Sequence, residues 1–144
     1  MEQQDAYDRV LSYTLAQFEE QPRSWVFLIE RFGPAAKDAI PTLIDILNSK
    51  SNLGQSCQRV LFSSKFYSKA LGAIGEASIK PLKYLYESDS SYFSGCSGAG
   101  GKINAIESLS HINLKEAKDV IIACANNEDN KKIKVFCKNK LEDL

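Results

Sequence analysis

The stretch SGCSGAGGK, Ser94 to Lys102, places four glycines in the eight residues before its lysine. A loop of that composition can wrap backbone N–H groups around a phosphate while the lysine supplies positive charge. A phosphate-cradling loop of the form G-x-x-x-x-G-K-[ST] makes further demands, however, including a buried strand before it and a helix after it. Here Cys96 occupies the first glycine position and Ile103 replaces the magnesium-binding Ser or Thr. The preceding SDSSYF follows a helical pattern, not a strand. ATP or GTP binding is therefore not expected, and Lys102→Ala is expected to leave stability and nucleotide affinity unchanged. The loop from Ser94 to Gly101 reads as a mobile connection, with Tyr92 and Phe93 beside it as aromatic contacts for a protein surface.

The remaining chemistry-bearing residues are sparse. His111 is the single histidine, beside the apolar Ile112, and no serine or cysteine stands at a recognisable spacing from it. Carboxylate pairs occur as Glu19-Glu20, Glu128-Asp129 and Glu142-Asp143, adjacent residues near helix ends that read as solvated faces or helix-start charges. None of Cys57, Cys96, Cys124 and Cys137 lies two to four residues from another, so paired zinc spacing is absent. Cys57, Cys124 and Cys137 fall on apolar helical stripes and are expected as free, buried small hydrophobes; Cys96 lies in the glycine loop. No catalytic residue, metal or cofactor is expected.

A chain of 144 residues suffices for one domain, burying ~68–70% of its unfolded surface. Lys plus Arg equals Asp plus Glu at 18 each, so no global field draws nucleic acid or an anionic membrane. MEQQDAYDRV has no basic region followed by an apolar run, and no segment approaches the ~20 apolar residues of a membrane span. A cytoplasmic location is expected.

Helical periodicity runs through nearly the whole chain, without strand alternation. The first helix is expected over 5–20, with Tyr7, Val10, Leu11, Leu15 and Phe18 on one face and Pro22 stopping it. Trp25, Leu28, Ile29 and Phe32 mark a second, capped by Gly33. Helices then follow over about 35–48, 56–74 and 76–88, and a short one carries Ile103, Ile106, Leu109 and Ile112. Asn113 with Glu116 reads as a capping-box start. Asp129 or Asn130 begins the last helix, with Ile133, Phe136, Cys137 and Leu141 inward.

Laid over one another, these helices repeat. Ile29-x-x-Phe32-Gly33 matches Leu71-x-x-Ile74-Gly75, and Leu71 and Ile74 match Leu109 and Ile112. Ile40, Leu43, Ile46 and Leu47 match Ile79, Leu82, Leu85 and Tyr86, which match Ala117, Val120, Ala123 and Cys124. The first pair of units differs by a three-residue excess in GPAAKDAIP relative to GEASIKP. A helical hairpin repeated every ~40 residues is the mark of an α-solenoid. RFGPAAKDAIPTLIDIL and ALGAIGEASIKPLKYLYE resemble HEAT repeats, especially the short HEAT-like repeats of bacterial proteins, through Gly33, Ile40, Pro41 and Leu43, then Gly75, Ile79, Pro81 and Leu82. SLSHINLKEAKDVIIACA keeps the apolar positions without glycine or proline. The expected fold is an all-α superhelix of about three to four hairpins: an N-terminal helix over 5–20, repeats over 23–49, 55–88 and 101–126, and a capping helix over 129–142.

The resemblance implies a non-catalytic protein that binds other macromolecules, with second helices lining a concave side. Equivalent positions there are Pro41, Lys80 and Lys118; Ile44, Lys83 and Ile121; and Asp45, Tyr84 and Ile122. Tyr84 and Ile122 flanked by Lys80, Lys83 and Lys118 would form an apolar centre with a cationic edge, suited to a protein with acidic groups. The expected partner-binding set is Asp45, Lys80, Lys83, Tyr84, Tyr92, Phe93, Lys118 and Ile122. The expected function is an adaptor or inhibitor, an immunity-type protein that neutralises a toxin enzyme among such roles. The alternatives are a nucleic-acid binder using Lys131, Lys132, Lys134, Lys138 and Lys140, or a relative of HEAT-like lyases and DNA glycosylases.

Overall fold

The computed structural model describes residues 2–48, 57–88 and 101–144, with side chains from residue 65 onward in the second segment. Tyr92, Phe93, Cys96, most of the glycine loop and the side chain of Cys57 lie outside the described residues. Those described are almost wholly helical, with no strand among them. In order they form α1 (Glu2–Glu20), α2 (Pro22–Phe32), α3 (Ile40–Leu47), α4 (Cys57–Ile74), α5 (Ile79–Ser88), α6 (Gly101–Ser110), α7 (Lys115–Asn127) and α8 (Lys131–Asp143).

Two junctions are built alike. Gly33 (φ 61°) ends α2 and Gly75 (φ 85°) ends α4, and these are the positive-φ residues of the described chain. Only glycine enters that backbone region without a Cβ penalty. Each glycine opens a 3-10 segment, Gly33–Ala39 after α2 and Gly75–Ser78 after α4. The first is three residues longer, and Ala36 (φ −90°, ψ 23°) kinks it, which absorbs the excess visible in GPAAKDAIP. Between α6 and α7 no glycine is present, and Leu114 enters α7 in extended conformation. The expected Asn113 capping box is not formed, because Leu114 is the N-cap and no side chain caps the helix. Pro22 does not merely stop α1; its fixed φ starts α2. Asn130 caps α8, its side-chain oxygen accepting from the Lys132 and Ile133 N–H groups at 3.0 and 3.2 Å.

Helices adjacent and next but one in the chain pack together: α3 lies on α4, α5 on α6 and α7 on α8. α2 lies on α4, α4 on α6 and α6 on α8, while α3 touches α5 and α5 touches α7; α1 covers α2 and the first 3-10 segment. The core between these rows holds the aligned positions Leu43, Leu82 and Val120, and also Ile40, Ile79 and Ala117. Gly72 brings α4 against the turn after α6: a Cβ there would stand 2.4 Å from the His111 Cβ. On α1 the expected apolar face is rotated, since Val10 is 57% exposed while Thr14 and Phe18 are buried. Tyr7 is exposed too, its ring edge-on to Phe32.

Candidate functional site

α5 buries Ile79, Leu82 and Leu85, and α7 buries Ala117, Val120, Ile121 and Cys124. A helix that buries one stripe must turn its flanks toward neighbours. Because α5 and α7 touch over little of their length, their facing flanks enclose an open groove of about 390 Å³. Its floor is Ile79, Tyr86, Val120 and Ala123; Lys80, Lys83 and Glu87 stand on the α5 side, Glu116 and Asp119 on the α7 side. Among the described residues no ion pair joins the lysines to the opposing carboxylates. Asp119 instead approaches Lys115 on its own helix, at 4.0 Å.

Of the residues expected to meet a partner, the structure brings Lys80 and Lys83 together on this wall. Tyr84, 71% exposed, and Ile122, 44% exposed, are open to solvent but line no part of the groove, so they do not make its centre. Lys118 is half-buried and Asp45 is exposed on α3; neither lines the groove. Ile121, placed by alignment in the concave row, is fully buried and belongs to the core. Glu116 and Asp119 were not anticipated. Their signal is spacing: Lys80, Lys83, Glu87 and Glu116, Asp119, Ala123 both run i, i+3, i+7, one flank of each helix.

Lys102, the lysine of the glycine stretch, is engaged by the protein itself. Its Nζ lies 3.1 Å from Glu128 Oε2 and 4.6 Å from the centre of the Tyr86 ring. The Tyr86 hydroxyl donates to the same carboxylate, and the Asn130 N–H approaches its other oxygen at 3.4 Å. Burial opposes ionisation of Glu128, but the Tyr86 hydrogen bond and Lys102 outweigh it and hold the carboxyl below its ordinary range. Burial first, then the bond to Glu128, pushes the Tyr86 phenol upward. The cluster ties the last turn of α5 to the first of α6 and the α7–α8 turn. Lys102 thus joins three elements, and these contacts argue against the expectation that its removal leaves stability unchanged.

A second cluster joins α6 to α8. Glu107 Oε1 is 3.5 Å from His111 Nε2, and Lys140 Nζ reaches Glu107 Oε2 at 2.5 Å. The His111 hydrogen bond, helped by Lys140 against the effect of burial, lowers the Glu107 pKa to about 2. Lys140 is therefore withdrawn from the lysine face of α8. The cysteines supply another correction: Cys124 and Cys137 are buried as expected but bonded to each other, their Cα atoms 6.0 Å apart across α7 and α8. Among the described residues no cluster of His, Cys, Asp and Glu could hold a metal ion, and no helix is long and apolar enough to cross a membrane. Comparison with protein-family models, curated proteins and solved structures finds no match to this chain.

Proposed function

We propose that this chain is a HEAT-like α-solenoid that binds a protein partner without catalysing a reaction. Its role is that of an adaptor or inhibitor, of which an immunity-type protein neutralising a toxin enzyme is one form. The observation that carries this reading is the α5–α7 groove: an apolar floor with charged walls, and solvent-exposed Tyr84 and Ile122 on the helices that form it. Exposed aromatic and aliphatic side chains beside charges that make no ion pair across the groove are what a recognition surface offers. The matched Gly33 and Gly75 junctions and the i-to-i+2 stacking of helices support the repeat reading.

The test is site-specific photo-crosslinking in cells at Tyr84 and Ile122, with Val135 on α8 as a remote control. One protein captured at both positions, and lost on Lys80→Glu/Lys83→Glu, supports the proposal. Capture of nucleic acid, or equal labelling from Val135, ends it in favour of the alternatives. A salt-dependent nucleic-acid complex would run through the exposed lysines of α8, from which Lys140 is already withdrawn.

The sequence-based location is the cytoplasm. The Cys124–Cys137 bond favours a more oxidising compartment, because disulfides are rare where thiol reductants are abundant. Alkylation of thiols before lysis decides: blocked cysteines at both positions support the cytoplasm, and an unreacted bridge supports the oxidising compartment.

A further inference from the structure

We propose that the occupant of the α5–α7 groove is an amphipathic helix whose apolar ridge is flanked by acids on one side and bases on the other. This rests on the protein-binding reading of the same groove and specifies the partner's chemistry. Lys80 and Lys83 face Glu116 and Asp119 across a floor that includes Ile79 and Val120, with no ion pair between the walls among the described residues. A ligand of one sign would satisfy one wall and be repelled by the other, so charge complementarity requires both signs. The split is confined to this stretch, since Glu87 ends the cationic run on α5.

Spacing selects a helix over other shapes. Each wall carries its charges three residues apart, which is about 4.5 Å of axial rise. A helix laid along the groove repeats same-flank positions at i, i+3 and i+4, on the order of 4.5–6 Å apart. An extended strand repeats same-side residues only every ~6.8 Å and drifts out of register with both walls. A free amino acid has the right charges but too few contacts. Exposed ion pairs contribute little singly, so affinity must come from an apolar side chain buried on the floor.

The experiment is selection from a displayed library of helical 14-residue peptides with a fixed apolar ridge and randomised flanks. It uses wild type, Lys80→Glu/Lys83→Glu and Glu116→Lys/Asp119→Lys, whose helicity is checked first. All four side chains are exposed, so the variants are expected to fold. Wild type should enrich peptides with acids on one flank and bases on the other. Those peptides should lose about tenfold or more in affinity for each variant, which in turn should select all-basic and all-acidic flanks respectively. Enrichment of single-sign peptides by wild type, absence of enrichment, indifference to the variants, or displacement of selected peptides by a free amino acid would each overturn the proposal. A partner crosslinked at Tyr84 and Ile122 that presents a single-sign or non-helical segment would sink this inference alone; failure of crosslinking would sink the protein-binding reading beneath it.

Discussion

Removing the Lys102 ammonium leaves Glu128, 8% exposed, with the Tyr86 hydroxyl and one N–H to hold its charge. Loss of a charged hydrogen-bond partner at a largely buried carboxylate should destabilise the fold by about 1–3 kcal/mol. Urea melts of Lys102→Ala check this, and a midpoint equal to wild type would mean the pair contributes nothing. Glu107 gives a pH signature. Its folded pKa of about 2 lies below the ordinary carboxylate value, so the protein gains from its ionisation above the unfolded pKa. That gain is lost as pH falls through the window between the ordinary value and about 2. Glu107→Gln should therefore lower stability at neutral pH and flatten its dependence on acid, as read by thermal melts from pH 7 to 2. An undiminished acid slope would show that other carboxylates carry it.

At the scale of elements, two glycines at the end of α4 should fail in different ways. Gly72→Ala drives a Cβ to 2.4 Å from the His111 Cβ, so α4 and the turn after α6 must separate. Overpacking of this kind costs roughly 1–3 kcal/mol. Gly75→Ala meets nothing within 4 Å, and its penalty is that of a side chain at φ 85°, about 1–2 kcal/mol. Crystal structures or amide-shift maps separate the two: displaced neighbours for Gly72, a purely local change for Gly75. Reduction of Cys124–Cys137, which spans a sequence separation of 13, should cost about 3 kcal/mol by the chain-entropy account. Denaturant melts with and without reductant test it, and coincident curves would refute it.

The all-helical fold was legible in the sequence because helical periodicity runs through nearly every segment, and the two glycine junctions were legible because Gly33 and Gly75 follow matching apolar positions in α2 and α4. Contacts between distant residues were not. Nothing in a helical stripe distinguishes two cysteines that merely pack from two that bond, and the Glu107–Lys140 pair joins α6 to α8 across the intervening α7. Half of the groove was readable for a related reason. Alignment finds equivalent positions on successive helices, whereas a groove is made from non-equivalent flanks, which is why Lys80 and Lys83 were found and Glu116 and Asp119 were missed. Molecule-wide, contacts mostly between helices close in the chain predict graded damage. Leu43→Ala and Leu82→Ala, both fully buried, should each lose roughly 2–5 kcal/mol. Hydrogen exchange after Leu43→Ala should rise most in α2, α3 and α4 and least in α7 and α8, since coupling passes mainly between neighbours. Uniform loss of protection would mean the helices melt as one body.

The Cys124–Cys137 bond also decides how this molecule carries a mechanical load. A processive unfoldase that pulls from the C-terminal side of α8 first peels away residues 138–144. At Cys137 the tension leaves the backbone and crosses the sulfur bridge to Cys124, so the chain between them hangs slack and stays folded back on itself. The machine must then thread two strands at once or pull α7 out of the core from its far end. Degradation that enters α8 from that side would stall there until a reductant cut the bridge.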